Sequence, residues 1–422
     1  MGFFDKIKKN TQNGNKGYYL ALDIGTEMVK SIVFKLDKKE KKGVIVGIGR
    51  QRQKRGNMQS GAISDINGVI DTCRNAIKEA KQKANVDEVT NAVMGVAGEL
   101  VKGTTTTVHY ERANPSERIN LTELKDIIQR VQWKALERIR EQMEWELGRS
   151  VDVKLINAAI VDVRIDGYRV ANPLNFQGKN LSISVFNAYA PLMHLGAVDM
   201  IAEELELDLM RVAAEPYAVS ASVGYEDIID FSGIFIDIGG GTTDIAVVRN
   251  GGLEGTKMFA LGGRAFTKRL AQVLRIPFDE AEVLKMKYAY GKLQPNVAEQ
   301  FSKILTQDSK VWLGGVELSL MEFAEKDLLP SNIYLCGGGC ALPEIGNVLL
   351  DDSWTKKLPF TKKPQVNFLQ PKDVINMIDQ TGDLTNPQDV TPMALANLVV
   401  EMSTKEKTIS QILHRAMRDV QK

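Results

Sequence analysis

Residues 20–34 read LALDIGTEMVKSIVF, and residues 234–248 read IFIDIGGGTTDIAVV. The reading of these two stretches decides the fold. Each is an apolar run, then Asp-Ile-Gly, then a threonine, then a second apolar run, which is the pattern of a strand, a tight turn and a strand. Glycines let such a turn take positive φ. Its N–H groups then point into one concavity where they can hold phosphate oxygens, and threonine hydroxyls add donors. A carboxylate at the end of each first strand repels a bare phosphate. Its presence suggests a divalent cation, Mg²⁺, held through water between carboxylate and phosphates. The candidate residues are Asp23, Gly25, Thr26 and Lys30 on the first copy. On the second they are Gly239, Gly240, Gly241, Thr242 and Thr243. Asp23 and Asp237 are the candidate metal positions. Asp244 either contacts the cation or caps the turn, and Lys30 either reaches phosphate or lies on the solvent face of its strand. One copy alone is a glycine-turn hairpin. Two copies predict a duplicated molecule whose halves clamp one nucleotide.

Outward from these stretches, strand and helix patterns alternate, which predicts an α/β architecture. Helical periodicity marks 66–85, 121–147, 192–207, 264–274, 279–289, 296–327 and 391–402. Strands are expected at 44–49, 91–98, 151–165, 181–191 and 332–336, with Asp166-Gly167 as a hairpin turn. The polar stretch from Gly103 to Asn120, with TTTT and NPS, reads as loop. The chain has 422 residues, with 54 Lys+Arg against 53 Asp+Glu. It therefore has no bulk field to draw in nucleic acid, and no nucleic-acid partner is expected. Three cysteines, Cys73, Cys336 and Cys340, are too few for a disulfide framework and point to a reducing compartment. No apolar run reaches the roughly 18 residues of a membrane span. The Walker pattern and any Ser-His-Asp or Cys-His set are absent.

The two stretches resemble the phosphate-1 and phosphate-2 motifs of the superfamily of actin, sugar kinases and heat-shock chaperone ATPases. NIYLCGGGCALP (332–343) is similar to that superfamily's adenosine motif, with Gly337, Gly338 and Gly339 where a purine approaches the backbone. The resemblance implies ATP as ligand and a weak or slow ATPase at most. It also implies a role for Glu215, in AAEPYAVSASVG, in ordering the attacking water. By its own residues Glu215 is also a helix N-terminal acid beside Pro216. The resemblance puts Glu282 and Lys285 against the ribose and adenine; read as residues they form an i,i+3 salt bridge.

The stretch VDVRIDGYRVANPLNFQGKNLSISV resembles the small inserted domain of the FtsA family, through Asp166, Gly167, Asn172, Pro173 and Gly178. GAISDI (61–66) and FALGGRAFTKRLAQVLRIPFDEAEVLKMKY (259–288) are FtsA-like as well. The resemblance implies a duplicated, actin-like two-lobe ATPase fold with a small α+β domain inserted in the first lobe. The first actin-like subdomain is expected over 17–98 and 181–215, and the insert over 99–180. The second lobe is expected over 216–404, with its smaller subdomain near 250–300. It further implies a cell-division protein that self-associates into filaments. Such a protein tethers an FtsZ-like tubulin homologue to the inner face of the cytoplasmic membrane. Its partner's tail is expected near residues 250–300.

Two segments are candidate anchors. Residues 1–16 place Phe3, Phe4 and Ile7 among lysines. Residues 405–422 place Ile409, Ile412, Leu413, Ala416, Met417 and Val420 on one helical face. The alternatives are a frayed terminus for residues 1–9 and a helix docked on the body for residues 408–421. Two other readings stay open. One is an ATP-binding clamp of type IV pilus assembly of the PilM type, which holds the N-terminal peptide of a membrane protein. The other is a sugar or acetate kinase.

Overall fold

The computed structural model describes residues 17–98, 101–223 and 231–404. Both candidate anchors lie outside these residues. The first lobe opens with β1 (Tyr18–Ile24), β2 (Met28–Asp37), β3 (Lys42–Arg52), α1 (Ile66–Ala84) and β4 (Asn91–Val96). An inserted unit follows: β5 (Lys102–Glu111), α2 (Leu121–Leu147), β6 (Val153–Ile165) and β7 (Asn180–Pro191). Then come α3 (Leu192–Glu204), β8 (Asp208–Ala214) and α4 (Glu215–Ser222). The second lobe holds β9 (Gly233–Ile238), β10 (Thr243–Arg249), β11 (Gly252–Phe259), α5 (Gly263–Leu274), α6 (Phe278–Ala289) and α7 (Pro295–Ala324). It continues with β12 (Asn332–Cys336), α8 (Pro343–Leu350) and β13 (Gln365–Phe368). β14 (Met377–Asp379) and α9 (Val390–Thr404) close the described chain.

The duplication expected from the two hairpins extends to whole sheets. The first sheet has the order β8-β4-β1-β2-β3-β14. The second has β13-β12-β9-β10-β11, then β5-β7-β6 and the two-residue strand Tyr168–Arg169. In each, three antiparallel strands are flanked by two parallel ones: β1 beside β4 and β8, and β9 beside β12 and β13. The central strands are buried on both faces, so YYLALDI and GIFIDI read as unbroken apolar runs. Each lobe has its own apolar core, built around Leu22, Ile32 and Val93 in one and around Ile236, Trp312 and Leu335 in the other.

The insert has a third core, where α2 lays Leu124, Ile128, Val131, Ala135 and Ile139 on β5, β6 and β7. Helix α2 starts where the Asn120 side chain accepts the Glu123 N–H, and stops at Gly148 in the left-handed conformation. Asp166 and Gly167 have φ of 49° and 88°, the two positive angles that a type I′ hairpin turn requires.

One sequence expectation is corrected. Much of the stretch read as loop from Gly103 is strand β5, paired along its length with β7. Threonine is polar, but its β-branched side chain suits a pleated surface. Two of the hydroxyl groups find partners, Thr105 donating to the Leu253 carbonyl and Thr107 bonding Ser184 at 2.8 Å. The segment from Asn180, expected at the return to the first subdomain, pairs between β5 and β6 in the second sheet, while its Phe186, Ala188 and Ala190 pack in the first lobe's core. At the far end of the chain, β14 pairs with β3 and α9 packs across β1 and β2, so these residues cover the first lobe.

Candidate functional site

The two hairpins match pair for pair. In one, Asp23 faces Lys30 and Ile24 faces Val29 around the turn; in the other, Asp237 faces Asp244 and Ile238 faces Thr243. The turns meet tip to tip. A Cβ on Gly241 would lie 2.7 Å from Thr26 Oγ1, and one on Gly240 would lie 2.8 Å from Glu27 Cβ. The glycines therefore serve close approach. None of Gly25, Gly239, Gly240 and Gly241 has positive φ, which corrects the conformational role read from sequence. Gly337 does have it, at 83°, and a Cβ there would sit 2.2 Å from Asp237 Oδ1. The glycine turn after β12 is thus pressed directly against the end of β9.

Between these turns lies a cleft of ≈ 580 Å³, within the ordinary range for a small-molecule site. Its walls include Asp23, Gly25, Thr26, Lys30, Glu215, Asp237, Gly239, Gly240, Thr242, Asp244, Glu282, Lys285 and Gly337 to Gly339. Gly241 and Thr243 stand behind the wall. Thr243 donates to the Leu261 carbonyl at 2.7 Å and accepts the Trp312 indole N–H at 2.9 Å, so its hydroxyl is committed to the core.

Acidic groups crowd the floor. Glu215 begins α4, with Gly95 leaving room beside its carboxyl group. Burial raises the Glu215 pKa well above the usual carboxylate range, and the charges of Asp23, Asp244 and Asp237 add to it. Burial likewise raises Asp237, against a hydrogen bond from the Thr391 hydroxyl. Asp244 is pushed up to about 8 by burial and by Asp237, while the Thr242 hydroxyl bonds it at 3.1 Å. Lys30 ion-pairs with Asp23 at 3.0 Å. Burial opposes its charge, but Asp23 outweighs that and raises its pKa. Four carboxyl groups against one ammonium is an arrangement that a bound cation would relieve. Among the described residues no three side chains are placed to chelate a metal directly. A cation here would be held through water and ligand oxygens.

Glu282 and Lys285 do form the i,i+3 pair, at 2.8 Å, but it is buried rather than exposed. Lys285 also donates to the Gly263 carbonyl at 3.1 Å and to Thr267 at 2.9 Å, while the Thr267 hydroxyl bonds Glu282. Val283, Met286 and Tyr290 give α6 an apolar flank on the same cleft, facing Ala341 and Leu342. Cys336 and Cys340 are free and buried beside the glycine turn, as small core residues.

Sequence reading missed the clamp across the mouth. Glu27, on the first-lobe turn, accepts Arg52 Nε and Arg264 Nε, both at 2.7 Å. Arg52 ends β3 and Arg264 sits in the first turn of α5, so one carboxylate ties the lobes together. Arg55 adds an ion pair with Asp279 at 2.9 Å and stacks over Phe278. No local sequence pattern links Glu27 to Arg264, which is remote in the chain. The only hint was an arginine directly after Gly262-Gly263.

The matched sheets, paired turns and interlobe cleft define an actin-like two-lobe α/β fold. The fold is shared at a TM-score of 0.63 with a PilM–PilN type IV pilus biogenesis complex, 17% identical, covering 91% of this chain and 98% of that one. Ethanolamine utilization protein EutJ from Carboxydothermus hydrogenoformans shares it at 0.50 and 17% identity, over 90% and 89% of the two chains. By sequence, this chain is similar to the FtsA cell-division proteins. The family description "Cell division protein FtsA" matches residues 234–369. The FtsA of Neisseria meningitidis is 29% identical over 272 residues, 64% of this chain and 61% of that protein, so under two thirds of its length is spanned. The FtsA of Streptococcus pneumoniae is 24% identical over 392 residues (88% and 81%), and that of Enterococcus hirae 23% over 420 (93% and 90%).

Proposed function

We propose that this protein binds ATP with Mg²⁺ in the interlobe cleft and acts as an actin-like scaffold of bacterial cell division. In this reading it self-associates and couples an FtsZ-like tubulin homologue to the inner face of the cytoplasmic membrane. The observation that carries it is the tip-to-tip pair of matched hairpins, Gly25–Glu27 against Gly239–Thr242, in a chain similar to FtsA. Backbone N–H groups and the hydroxyls of Thr26 and Thr242 would hold the phosphates. Lys30 would add one positive charge. Gly337, Gly338 and Gly339 would let the base lie flat on the backbone, with α6 on its other side. Asp23 and Asp237 would hold Mg²⁺ through water, where the ion would offset phosphate charge. Glu215, its pKa raised, would orient a water toward the terminal phosphate, giving slow hydrolysis at most. The test is co-sedimentation with an FtsZ-like polymer in ATP and Mg²⁺. More of this protein is expected to pellet with polymer than by its own self-association without it; equal pelleting in both sinks the proposal.

A second reading rests on the fold shared with PilM over 98% of that chain. In it the same nucleotide cleft serves a clamp for the N-terminal peptide of an inner-membrane pilus protein. Fluorescence anisotropy with that peptide and with the tail of an FtsZ-like protein separates the two readings by which probe binds.

A further inference from the structure

At the end of the first sheet away from the cleft, the link between β2 and β3 reads KLDKKEKK over residues 35–42. Five lysines stand here against Asp37 and Glu40. Asp37 holds the turn, accepting the N–H groups of Lys39 at 2.9 Å and Glu40 at 3.1 Å. Lys35, Lys38, Lys39 and Lys41 are exposed. None of the five has an ion-pair partner among the described residues.

Both ends of the described chain leave from this same place. Strand β1 starts at Tyr18, paired with Lys35. Helix α9 passes Gly43, where a Cβ would meet Val400 Cγ2 at 2.9 Å, and ends one turn later at Thr404. The sequences beyond those points, MGFFDKIKK before and TISQILHRAMRDVQK after, alternate bulky apolar residues with Lys and Arg. The points where the described chain begins and ends and a lysine-rich turn therefore share one pole. Acidic residues at that pole, Asp87, Glu88, Glu206 and Asp208, precede β4 and β8, on the other half of the sheet edge. Asp87 and Glu206 share their groove with Arg74, Lys78 and Lys81, so that side carries mixed charge, while the β2–β3 side is lysine-rich.

We propose that the Lys38–Lys42 turn is a membrane-contact element that binds anionic lipid headgroups. It sets this end of the first sheet against the bilayer. The inference rests on the tethering reading and adds the face and the lipid chemistry. Lysine attracts a negative surface without a fixed pose, which suits an exposed turn with no partners. Each lysine near such a surface is worth about a fivefold gain in partitioning, screened by salt.

The experiment uses the full chain with ATP and Mg²⁺ and phosphatidylcholine vesicles with and without phosphatidylglycerol. Binding is compared with that of a Lys38→Gln, Lys39→Gln, Lys41→Gln variant, and ATP affinity serves as the check that the fold is intact. The variant is expected to bind phosphatidylglycerol vesicles on the order of 100-fold more weakly, from three lysines at about fivefold each. It should also lose salt sensitivity while binding ATP like the parent. Equal vesicle binding by parent and variant overturns the turn's role and leaves the tether standing. If the parent binds no vesicles while binding ATP, both the turn and the tether fall. If it sediments with duplex DNA in preference to vesicles, the lipid assignment is overturned.

Discussion

Glu27 is the place where a small change should be felt by both lobes. Its two carboxylate oxygens each take one arginine, Arg52 from the first lobe and Arg264 from the second, at 2.7 Å. The Arg264 pair is largely out of water, at 16% and 18% side-chain exposure, whereas Arg52 is 43% exposed. A charge-assisted bond at the sheltered end should contribute about 2 kcal/mol, and the wetter end under about 1 kcal/mol. Glu27→Gln keeps the shape and removes the charge, leaving two arginines facing each other. It should cost about 2–3 kcal/mol. The assay is a double-mutant cycle in urea with Glu27→Gln, Arg264→Gln and the pair. The expected coupling is about 1.5 kcal/mol, whereas uncoupled distant residues add within ~0.5 kcal/mol. Coupling at that lower level would refute the interlobe clamp. The same variant should release nucleotide faster, because the mouth it closes is the mouth of the cleft.

Gly337→Ala places a Cβ at positive φ and 2.2 Å from Asp237 Oδ1, so stability should fall by at least ~2 kcal/mol, measured in urea. The raised carboxyl groups set a pH dependence. Asp244 holds its proton up to about 8 in the folded state, while an unfolded aspartate releases it near ~4. Between those values the folded state binds more protons, so nucleotide-free stability should decline as pH rises across the window. Thermal melts from pH 5 to 8 should show this slope, and Asp244→Asn should flatten it. In the insert, Gln132 is fully buried with neither its amide nitrogen nor its oxygen bonded. Gln132→Leu should therefore raise stability by ~1 kcal/mol by the same urea method.

How much could be read in advance differs from element to element. Helix α2 was legible to the residue, because its apolar period, the Asn120 cap and Gly148 all agree. The duplication was legible because the same Asp-Ile-Gly step closes β1 and β9, and the full sheet order then repeats around both. Strand β5 was not, because a run of threonines looks polar until β7 supplies its partner strand. The glycine turns were recognised, but their physical reason was misassigned. Proximity of the opposite turn fixes Gly240 and Gly241, and a local pattern carries no information about a facing segment. Glu27 and Arg264 were invisible for the same cause. The pairing of Glu282 with Lys285 was visible from spacing, but its burial came from the packing of α6 against α5.

The most direct test of a nucleotide held between matched turns is calorimetric titration of ATP with and without Mg²⁺, on the parent protein, Gly25→Val and Gly240→Val. The account predicts saturable, Mg²⁺-strengthened binding by the parent. It predicts at least about a tenfold loss in each valine variant, since a Cβ at Gly25 already lies 2.7 Å from Met28 O and one at Gly240 lies 2.8 Å from Glu27 Cβ. Binding that is unchanged in both valine variants, or absent in a folded parent, would contradict it.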